Sequence, residues 1–412
     1  MSLCTRSGRG SALKEQLMRK FSTLLFALLA CFTLAQAQGK GSGFVGNGYY
    51  RVRNFVTDRY IYVTDNHTPI TGDKINFQLL QLWKDYTRTI SDPASVIYMK
   101  QVNTDAFDLI GQGTGVNQFT GHYVHVDKQS DGSYIVKASV DKGGVSVTMY
   151  LTDNETSSSA QGTMGTNNTG SYRKWIVDQI DSNSDTNYFG IEATLQAGGK
   201  FYKPFYADFP FRVISEGMHV YYVEKIKGEN AVLKEVQGDV PAHMPVIIEC
   251  TSSDPSKNRV ELLPPASATQ PDNKLVGNYF CNGSRPSDSP DAYKKFDAAK
   301  MRVLTVKDDK LVFSNNAPES LSSIKVTNPT TLMKEQTLCI PANTSYLAAD
   351  AGTAAQLGVI IAADAIRGVS ASKPLMTAGV YSVTGRQVRK DSDTEGLPAG
   401  LYIVNGKKVI VK

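Results

Sequence analysis

The 412-residue chain has few of the residues on which catalytic and metal sites are most often built: five histidines, five cysteines and two tryptophans. It contains neither a Gly-x-Ser-x-Gly nucleophile elbow nor a His-Glu-x-x-His zinc motif. Serine-hydrolase and zinc-peptidase chemistry therefore have no support in the sequence. Paired carboxylates for glycoside hydrolysis carry no sequence signature, so this class stays open as the least favoured one. We predict a protein without catalytic residues, cofactor or metal site.

The chain also lacks a strong charge bias once its N-terminus is set apart. The formal net charge is +5, but residues 1–37 hold five of the 44 basic residues and one of the 39 acidic ones. The remainder has 39 basic and 38 acidic residues, a net charge of +1, and no basic cluster interleaved with aromatics. Proteins that bind nucleic acids carry a basic patch because they neutralise phosphates. We therefore expect no nucleic-acid partner.

Only one long apolar run is present, and it lies near the N-terminus. A basic segment precedes the apolar run 21–34, and a small-x-small cleavage pattern ends at Ala37. This arrangement predicts a secretory signal peptide over residues 1–37, with Met18 as the true start and Gln38 as the first mature residue. No other stretch approaches the ~20 apolar residues that span a bilayer. We expect a secreted or cell-surface protein, handled by export machinery, whose mature part has no transmembrane segment.

Cysteine is too scarce for a disulfide framework. Cys4 and Cys31 belong to the leader, which leaves Cys250, Cys281 and Cys339 at wide spacing. These three predict neither a metal knuckle nor a fixed pairing. One bridge with one free thiol is open, and buried structural cysteine is the favoured interpretation. Cys31 ends a lipobox-like Leu-Leu-Ala-Cys segment, so a lipid-anchored Cys31 is the alternative to cleavage of the signal peptide.

Alternating apolar and polar residues predict β-strands almost throughout, so the predicted fold class is all-β. The predicted strands are 50–53, 60–63, 123–126, 134–137 and 145–151 in the first half, and 209–214, 220–225, 231–236 and 246–249 in the second. Asp131-Gly132 and residues 227–230 supply hairpin turns. A proline-led segment at 240–248 has a counterpart at 340–348, and each leads into an apolar strand.

The first half also contains internal echoes. Segments 62–66 and 150–154 resemble each other, as do 57–63 and 104–110, which suggests three related units. With Tyr-Arg-Val-Arg-Asn at its start and Lys-Trp-Ile-Val at its end, this region resembles the ricin-type β-trefoil. The Gln-x-Trp signature of that family appears here as Arg-Lys-Trp, with its tryptophan at Trp175. The resemblance implies a trefoil-like fold and glycan binding.

One segment of this region has helical spacing. Apolar residues recur there at three- and four-residue steps: Ile75, Leu79, Leu82, Tyr86 and Ile90. This pattern predicts an amphipathic helix inserted into the trefoil-like domain. Trp83 and Tyr86 are the candidate ligand-binding residues, because an aromatic ring can stack on a sugar; core packing is the alternative for Trp83. Trp175 is predicted to lie in the core.

The C-terminal residues predict a small β-hairpin tail. Short apolar strands occupy 380–383, 401–404 and 407–412, and Asn405-Gly406 joins the last two. Asn-Gly is the strongest short-range hairpin signal, because both turn positions need positive φ. This tail resembles the C-terminal sorting-type tails of exported Bacteroidota proteins, including those used in type IX secretion. The resemblance implies export.

These features divide the chain into consecutive parts. The phrases that follow the trefoil-like domain resemble β-sandwich modules common in secreted Bacteroidota proteins. The predicted parts are a signal peptide (1–37), a Gly-rich linker (38–47), a β-trefoil-like domain (48–181), β-sandwich modules (182–367), a linker (368–373) and a sorting-type tail (374–412).

Three motif matches have structural interpretations that we favour. Residues 41–46 fit Gly-x-Gly-x-x-Gly, but no predicted strand precedes them and no helix follows. His122 and His125 would point to opposite faces of a strand, which excludes a shared metal. Residues 181–192 match a calcium loop except that Thr186 stands where glycine is required. We expect a linker, surface histidines and a solvated interdomain segment.

The favoured function is non-enzymatic binding outside the cell, with a glycan as the ligand of the trefoil-like domain. A structural or adhesin-like role is the alternative, as is binding of host proteins such as proteases, which trefoils also serve. An extracellular hydrolase is least favoured, since the fold alone does not settle function. A lectin should show aromatics beside an Asp or Asn in a shallow pocket. An adhesin should show an extended array without such a pocket, and a hydrolase a cleft with paired carboxylates.

Overall fold

The fold is all-β, as the alternating pattern predicts. The computed structural model describes residues 41–64, 80–83, 89–113, 124–141, 143–153, 162–165, 170–283, 292–328, 330–362, 380–382, 387–389, 391, 393–404 and 407–411. Its short 3-10 turns lie at Pro93–Ser95, Ser171–Arg173, Pro255–Lys257 and Pro318–Ser320. Within these ranges, no helix has the length and apolarity needed to cross a membrane. The chain divides into one compact unit that ends at Ile361 and a second that begins at Ala362.

Ten strands form the first sheet, and six of them close into a ring. The strands are β1 (Gly48–Asn54), β2 (Tyr60–Val63), β3 (Leu80–Trp83), β4 (Ile97–Gln101), β5 (Ala106–Ile110), β6 (Val124–Lys128), β7 (Tyr134–Asp141), β8 (Ser146–Asp153), β9 (Gly162–Gly165) and β10 (Lys174–Gln179). β1 pairs with β4, and β5, β6 and β7 follow as successive antiparallel neighbours. β10 pairs with both β7 and β1, which closes the ring.

Alternate residues of the ring strands form its interior. Tyr50 and Val52 of β1 lie there with Met99 of β4 and Trp175 of β10. Trp175 is fully buried, and its indole Nε1 donates a hydrogen bond to the carbonyl oxygen of Leu151 at 3.0 Å. The prediction that Trp175 is a core residue is confirmed. The two-residue period of the strands, visible in the sequence, produces this interior.

Two hairpins extend from the ring: β2 with β3, and β8 with β9. The first hairpin corrects the predicted helix. Leu80–Trp83 is a strand, so the helix predicted through Leu82 is wrong for this segment. Pairing with β2 hydrogen-bonds its backbone in the extended conformation, which outweighs helical spacing of the side chains. Ile75, Leu79 and Tyr86 lie outside the described residues.

The two sequence echoes differ in structural meaning. Residues 62–66 begin in β2 and residues 150–154 begin in β8, the first strands of the two hairpins. Residues 57–63 also lead into β2, but residues 104–110 lead into β5, which is a ring strand. Only the first echo therefore relates equivalent positions.

The second large sheet shows an internal duplication. Its strands are β12 (Leu195–Ala197), β13 (Lys200–Phe205), β15 (His219–Lys227), β16 (Asn230–Glu235), β17 (Val246–Cys250), β19 (Leu275–Asn278), β21 (Met301–Lys307), β22 (Lys310–Ser314), β25 (Thr344–Ala348) and β26 (Gln356–Ile361). Outward from β26, the order is β16-β15-β17-β13 on one side and β22-β21-β25-β19 on the other. Val223 and Leu233 of the first copy meet Leu304 and Phe313 of the second in one core. The sheet therefore folds over a core that both copies share.

The repeated proline-led segments form matching turns in the two copies. His243 and Asn343 occupy the same place in the two segments, and both have positive φ, 61° and 54°. Left-handed backbone is uncommon for residues other than glycine, with Asn and His among the more tolerant. The turns lead into β17 and β25, which hold the same place in the strand order of each copy. The echo between 240–248 and 340–348 is thus a structural repeat.

Smaller sheets complete the two units. One contains β11 (Phe189–Gly190), β14 (Phe211–Val213) and β18 (Arg259–Leu262), and another β20 (Lys294–Lys295), β23 (Ser322–Thr327) and β24 (Lys334–Ile340). The C-terminal unit contains β27 (Val380–Ser382), β28 (Gln387–Arg389), β29 (Gly400–Val404) and β30 (Lys407–Val411), in the order β28-β27-β29-β30. The register pairs Val404 with Lys407, as a two-residue hairpin loop requires; Asn405 and Gly406 themselves lie outside the described residues.

The ring and the duplicated sheet share a core within the first unit. Tyr49 and Val96, from the outer side of the ring, belong to one cluster with Phe189, Phe205 and Phe209. All five are buried. The modules predicted on either side of residue 181 are therefore joined by apolar packing, which stabilises them together.

Arg51 is the buried polar centre of this junction. It is 1% exposed, and its guanidinium donates hydrogen bonds to Asn187 Oδ1 at 2.6 Å, to the carbonyl oxygen of Tyr188 at 2.9 Å and to Ser95 Oγ at 3.2 Å. The amide of Asn187 donates in turn to the carbonyl oxygen of Asp178 at 3.0 Å. A buried charge needs such partners because water cannot solvate it.

We expect Arg51→Met to lower the free energy of unfolding by about 1–3 kcal/mol for each buried acceptor that is left without a donor. The acceptors on Asn187 and Tyr188 would lose their donor. Urea denaturation of the full chain measures the change. The matched control is Arg212→Met, which removes a half-exposed guanidinium paired with Asp239 at 2.6 Å and should leave the free energy of unfolding nearly unchanged. Equal losses in both variants would contradict a junction centred on Arg51.

Candidate functional site

A pocket of about 480 Å³ opens where the ring meets the duplicated sheet. Tyr49, Tyr98 and Lys100 line it from β1 and β4, and Asp208 and His243 line it from the opposite side. Its volume lies in the range of about 300–1,000 Å³ typical of small-molecule sites. We call it the junction pocket.

Two tyrosines form an aromatic wall of this pocket. Because side chains alternate along β1, Tyr50 enters the ring and Tyr49 faces outward. Tyr49 lies opposite Tyr98 in the register, with ring centroids 5.0 Å apart. The ring of Phe209 packs against the ring of Tyr49, with centroids 5.8 Å apart. Burial and the neighbouring carboxyl of Asp208 raise the pKa of Tyr49, so its hydroxyl stays protonated and can donate.

Asp208 places an acid in apolar surroundings. It lies between Ala207 and Phe209, which are both buried, and its Oδ2 accepts a hydrogen bond from the backbone N–H of Gly113 at 3.1 Å. Burial raises the pKa of Asp208 to about 7, although hydrogen bonds from its own N–H and from Gly113 act in the opposite direction. Near neutral pH the carboxyl exists in both forms, so it can donate as well as accept a hydrogen bond.

The matching turns of the duplicated module hold the segment that leads to Asp208. The backbone N–H of His243 donates to Ala207 O at 2.9 Å, and the N–H of Tyr206 donates to Asn343 O at 3.0 Å. The Asn343 amide donates to Tyr206 O at 3.2 Å and to Gln112 Oε1, on the ring side, at 2.6 Å. One turn from each copy thus fixes the wall of the pocket that faces the ring.

His243 adds an imidazole at the rim. Its Nδ1 lies 2.6 Å from the hydroxyl of Tyr279, whose ring packs on Tyr206 at 4.3 Å. Burial lowers the pKa of His243 and raises the pKa of Tyr279. His243 is therefore held in its neutral form, in which one ring nitrogen donates and the other accepts, and the tautomer sets the direction of its hydrogen bond with Tyr279. The rim carries a second hydrogen-bonding group next to the aromatic wall.

The residues that the sequence singled out lie elsewhere. Trp83 is the last residue of β3; its side chain and the whole of Tyr86 fall outside the described residues, so their predicted ligand-binding role stays a prediction. His122 is likewise outside the described ranges. His125 is a half-buried residue of β6, with its Nδ1 3.2 Å from Asp105.

The segments with cofactor-like and calcium-like spacing are engaged in local structure. Gly43 donates its N–H to Val177 O at 3.1 Å, so this part of residues 41–46 lies against β10. The Asp181 carboxylate accepts a hydrogen bond from the N–H of Asn183 at 2.9 Å, and Asn187 accepts a hydrogen bond from Arg51. Across the described ranges, no group of three or more His, Cys, Asp or Glu could hold a metal ion.

Asp208 was missed in the sequence, although a signal was present. It stands in Phe205-Tyr-Ala-Asp-Phe209, where every neighbour is apolar or aromatic. An acid in such a run is either at a turn or in a functional pocket, since an unpaired buried carboxylate is costly. Its partners, such as Gly113 and Tyr49, are distant in sequence, so no local motif could reveal the pocket.

The junction pocket can bind a ligand with apolar faces and hydroxyl groups. Tyr49 and Tyr98 supply the apolar wall, and Asp208 and His243 supply groups that donate and accept hydrogen bonds. Among the described residues that line it, Asp208 is the one acid. Glycoside hydrolysis normally uses two carboxyl groups about 5–9.5 Å apart.

We expect Asp208→Asn to change how stability depends on pH. The folded-state pKa of Asp208, about 7, lies above the ordinary value of 3.8, so the folded protein retains a proton that the unfolded chain releases. Its stabilising effect is complete below pH 3.8 and is lost as the pH rises through about 7. The free energy of unfolding of the wild type, minus that of Asp208→Asn, should fall over this interval by at most about 4 kcal/mol. Urea denaturation across pH measures the difference.

Asp131→Asn is the matched control, because its pKa is shifted in the opposite direction. Lys174 and Ser133 lower the pKa of Asp131 to about 2 by hydrogen bonding. Its stabilising effect is present above pH 3.8 and is lost as the pH falls through about 2. The two substitutions should therefore alter opposite ends of the pH profile. An Asp208→Asn profile parallel to that of the wild type would contradict a desolvated carboxyl.

Neither a protein-family model nor a curated protein matches this chain. The pocket combines an aromatic wall, a desolvated acid and a neutral imidazole in a volume suited to a small ligand.

Proposed function

We propose that this protein is a secreted or cell-surface, non-enzymatic binding protein whose ligand is a glycan, held in the junction pocket. The observation that carries the proposal is the Tyr49–Tyr98 wall beside Asp208. A sugar ring has an apolar face of C–H groups and an edge of hydroxyl groups. Aromatic rings contact the first and polar side chains bind the second.

The reduced charge of two polar groups supports a neutral ligand. Asp208 is desolvated and His243 is neutral, so neither offers a strong fixed charge. Hydroxyl groups donate and accept at once, and they match an acid and an imidazole that also do both. Lys100, exposed beside the pocket, can bind a further hydroxyl or an acidic sugar.

We also propose a β-trefoil for residues 48–181 and a β-sandwich for the duplicated module. Support for the trefoil comes from the six-stranded ring β1-β4-β5-β6-β7-β10 and from the two hairpins that follow β1 and β7. A trefoil builds its barrel from two strands of each unit and adds one hairpin per unit. The place of a third hairpin, between β5 and β6, includes residues outside the described ranges.

A structural or adhesin-like role is the second candidate. The observation that favours it is the separate C-terminal unit, a small sheet of β27 to β30 that matches the form expected of a sorting-type tail. Such a tail would display the protein at a surface, and this role does not require a ligand. The junction pocket distinguishes the candidates, because a purely structural array has no need of a ligand site.

The full chain should bind a subset of sugars on a broad glycan array, and Tyr98→Ala should weaken binding at least about tenfold, the equivalent of about 1.4 kcal/mol. Tyr98 is the more accessible ring of the aromatic wall. Titration calorimetry with the best array ligand measures the loss. Tyr172→Ala is the control, since it removes an exposed tyrosine outside the pocket and should leave the affinity unchanged.

Trp83→Ala tests the site predicted from sequence. Loss of binding in Trp83→Ala, with Tyr98→Ala unaffected, would keep the glycan ligand but move the site to the β2–β3 hairpin. Absence of any saturable binding by the wild type would refute the glycan proposal and leave the structural role.

A further inference from the structure

Two of the three described cysteines lie side by side. Cys339 belongs to β24, where the register places it opposite Ser322 of β23 and Lys295 of β20. Cys281 and Ser322 line the same cleft, and the Cys281 thiol interacts with the Ser322 hydroxyl and the Cys339 thiol. The third, Cys250, is fully buried in β17, and the pKa of its thiol is raised to about 12 by burial and by Glu249.

The backbone holds the two thiols together. Asn278, just before Cys281, donates from its side chain to the carbonyl oxygens of Ile340 and Pro341, at 3.0 Å each. An isolated antiparallel β-bridge pairs the backbone of Cys281 with the backbone of Tyr293. The segment that carries Cys281 is therefore anchored to the residues that directly follow Cys339. A disulfide needs such closeness of backbone, because the bond tolerates only a narrow range of separations.

The two thiols differ in access and in chemistry. Cys281 is half-buried and lines a cleft of about 290 Å³ together with Lys203 and Asn343, whereas Cys339 is fully buried. The hydrogen bond from Cys339 lowers the pKa of Cys281, and the same interaction, together with burial, raises the pKa of Cys339. Cys281 is therefore the thiol that ionises first and that a solute can reach.

We propose that Cys281 and Cys339 form a dithiol–disulfide pair that exchanges with small disulfides through Cys281, while Cys250 stays reduced. The Cys281 thiolate attacks one sulfur of an incoming disulfide, whose S–S bond breaks and releases one thiol. Cys339, after losing its proton, then attacks the sulfur of Cys281 and releases the second thiol. The protein loses two electrons and two protons, and the donor disulfide is reduced to two thiols.

Glutathione disulfide added to the reduced full chain tests this assignment. After an acid quench, denaturation and alkylation, proteolytic peptides report each cysteine separately, including Cys4 and Cys31. The expected product is a Cys281–Cys339 crosslinked peptide, with Cys250 alkylated. Unpaired alkylation of Cys281 and Cys339 at equilibrium, or a bridge that includes Cys250, would overturn the proposal.

Single serine substitutions test the order of the two steps. In Cys339→Ser, the reaction should stop at the mixed disulfide, with one glutathione on Cys281. In Cys281→Ser, Cys339 should stay unmodified because it is buried. Cys250→Ser is the control and should form the bridge as the wild type does. Equal modification of Cys281 and Cys339 in the two variants would contradict entry through Cys281. A time course on the wild type gives the same answer without substitution, since the transient glutathione adduct should occur on Cys281.

Discussion

The buried guanidinium of Arg51 constrains the rest of the first unit. A permanent charge that is 1% exposed must obtain its hydrogen bonds from the protein. Arg51 obtains them from Ser95 on the ring side and from Asn187 and Tyr188, which begin the following module. The modules must therefore meet in one relative position for the charge to be solvated. This explains why β1 is buried on both faces, unlike a strand whose outer face meets water.

The junction pocket is a consequence of that fixed position. Its aromatic wall comes from β1 and β4, and its acid comes from the segment after β13. Neither half holds a complete site. Asp208 has an elevated pKa because ring-side residues cover it, so its chemistry depends on the packing between modules. The junction pocket and the Arg51 network therefore both depend on the same packing between the ring and the duplicated sheet.

Patterns among residues that are neighbours in the sequence predicted strands correctly, but they did not locate the junction pocket. Tyr60–Val63 and the turn at Asp131-Gly132 follow from two-residue alternation and turn chemistry, which depend on neighbours in sequence. The predicted helix failed at Leu80–Trp83 because pairing with β2, a tertiary contact, decides that backbone. The pocket joins Gly113 to Asp208, residues 95 positions apart. No local pattern reports such a contact, so motif analysis could not place the site.

The duplication places one turn at the rim of the junction pocket and the equivalent turn in a structural contact. Both copies keep a left-handed residue in the same turn, but its side chain differs. Asn343 uses its amide to bind Gln112 and is buried, so this copy joins the sheet to the ring. His243 keeps the backbone bond to Ala207, while its imidazole is exposed at the rim of the pocket. The backbone of the turn alone positions the start of the following strand. The side chain at this position can therefore differ between the two copies. One copy uses it for packing, and in the other it lines the junction pocket.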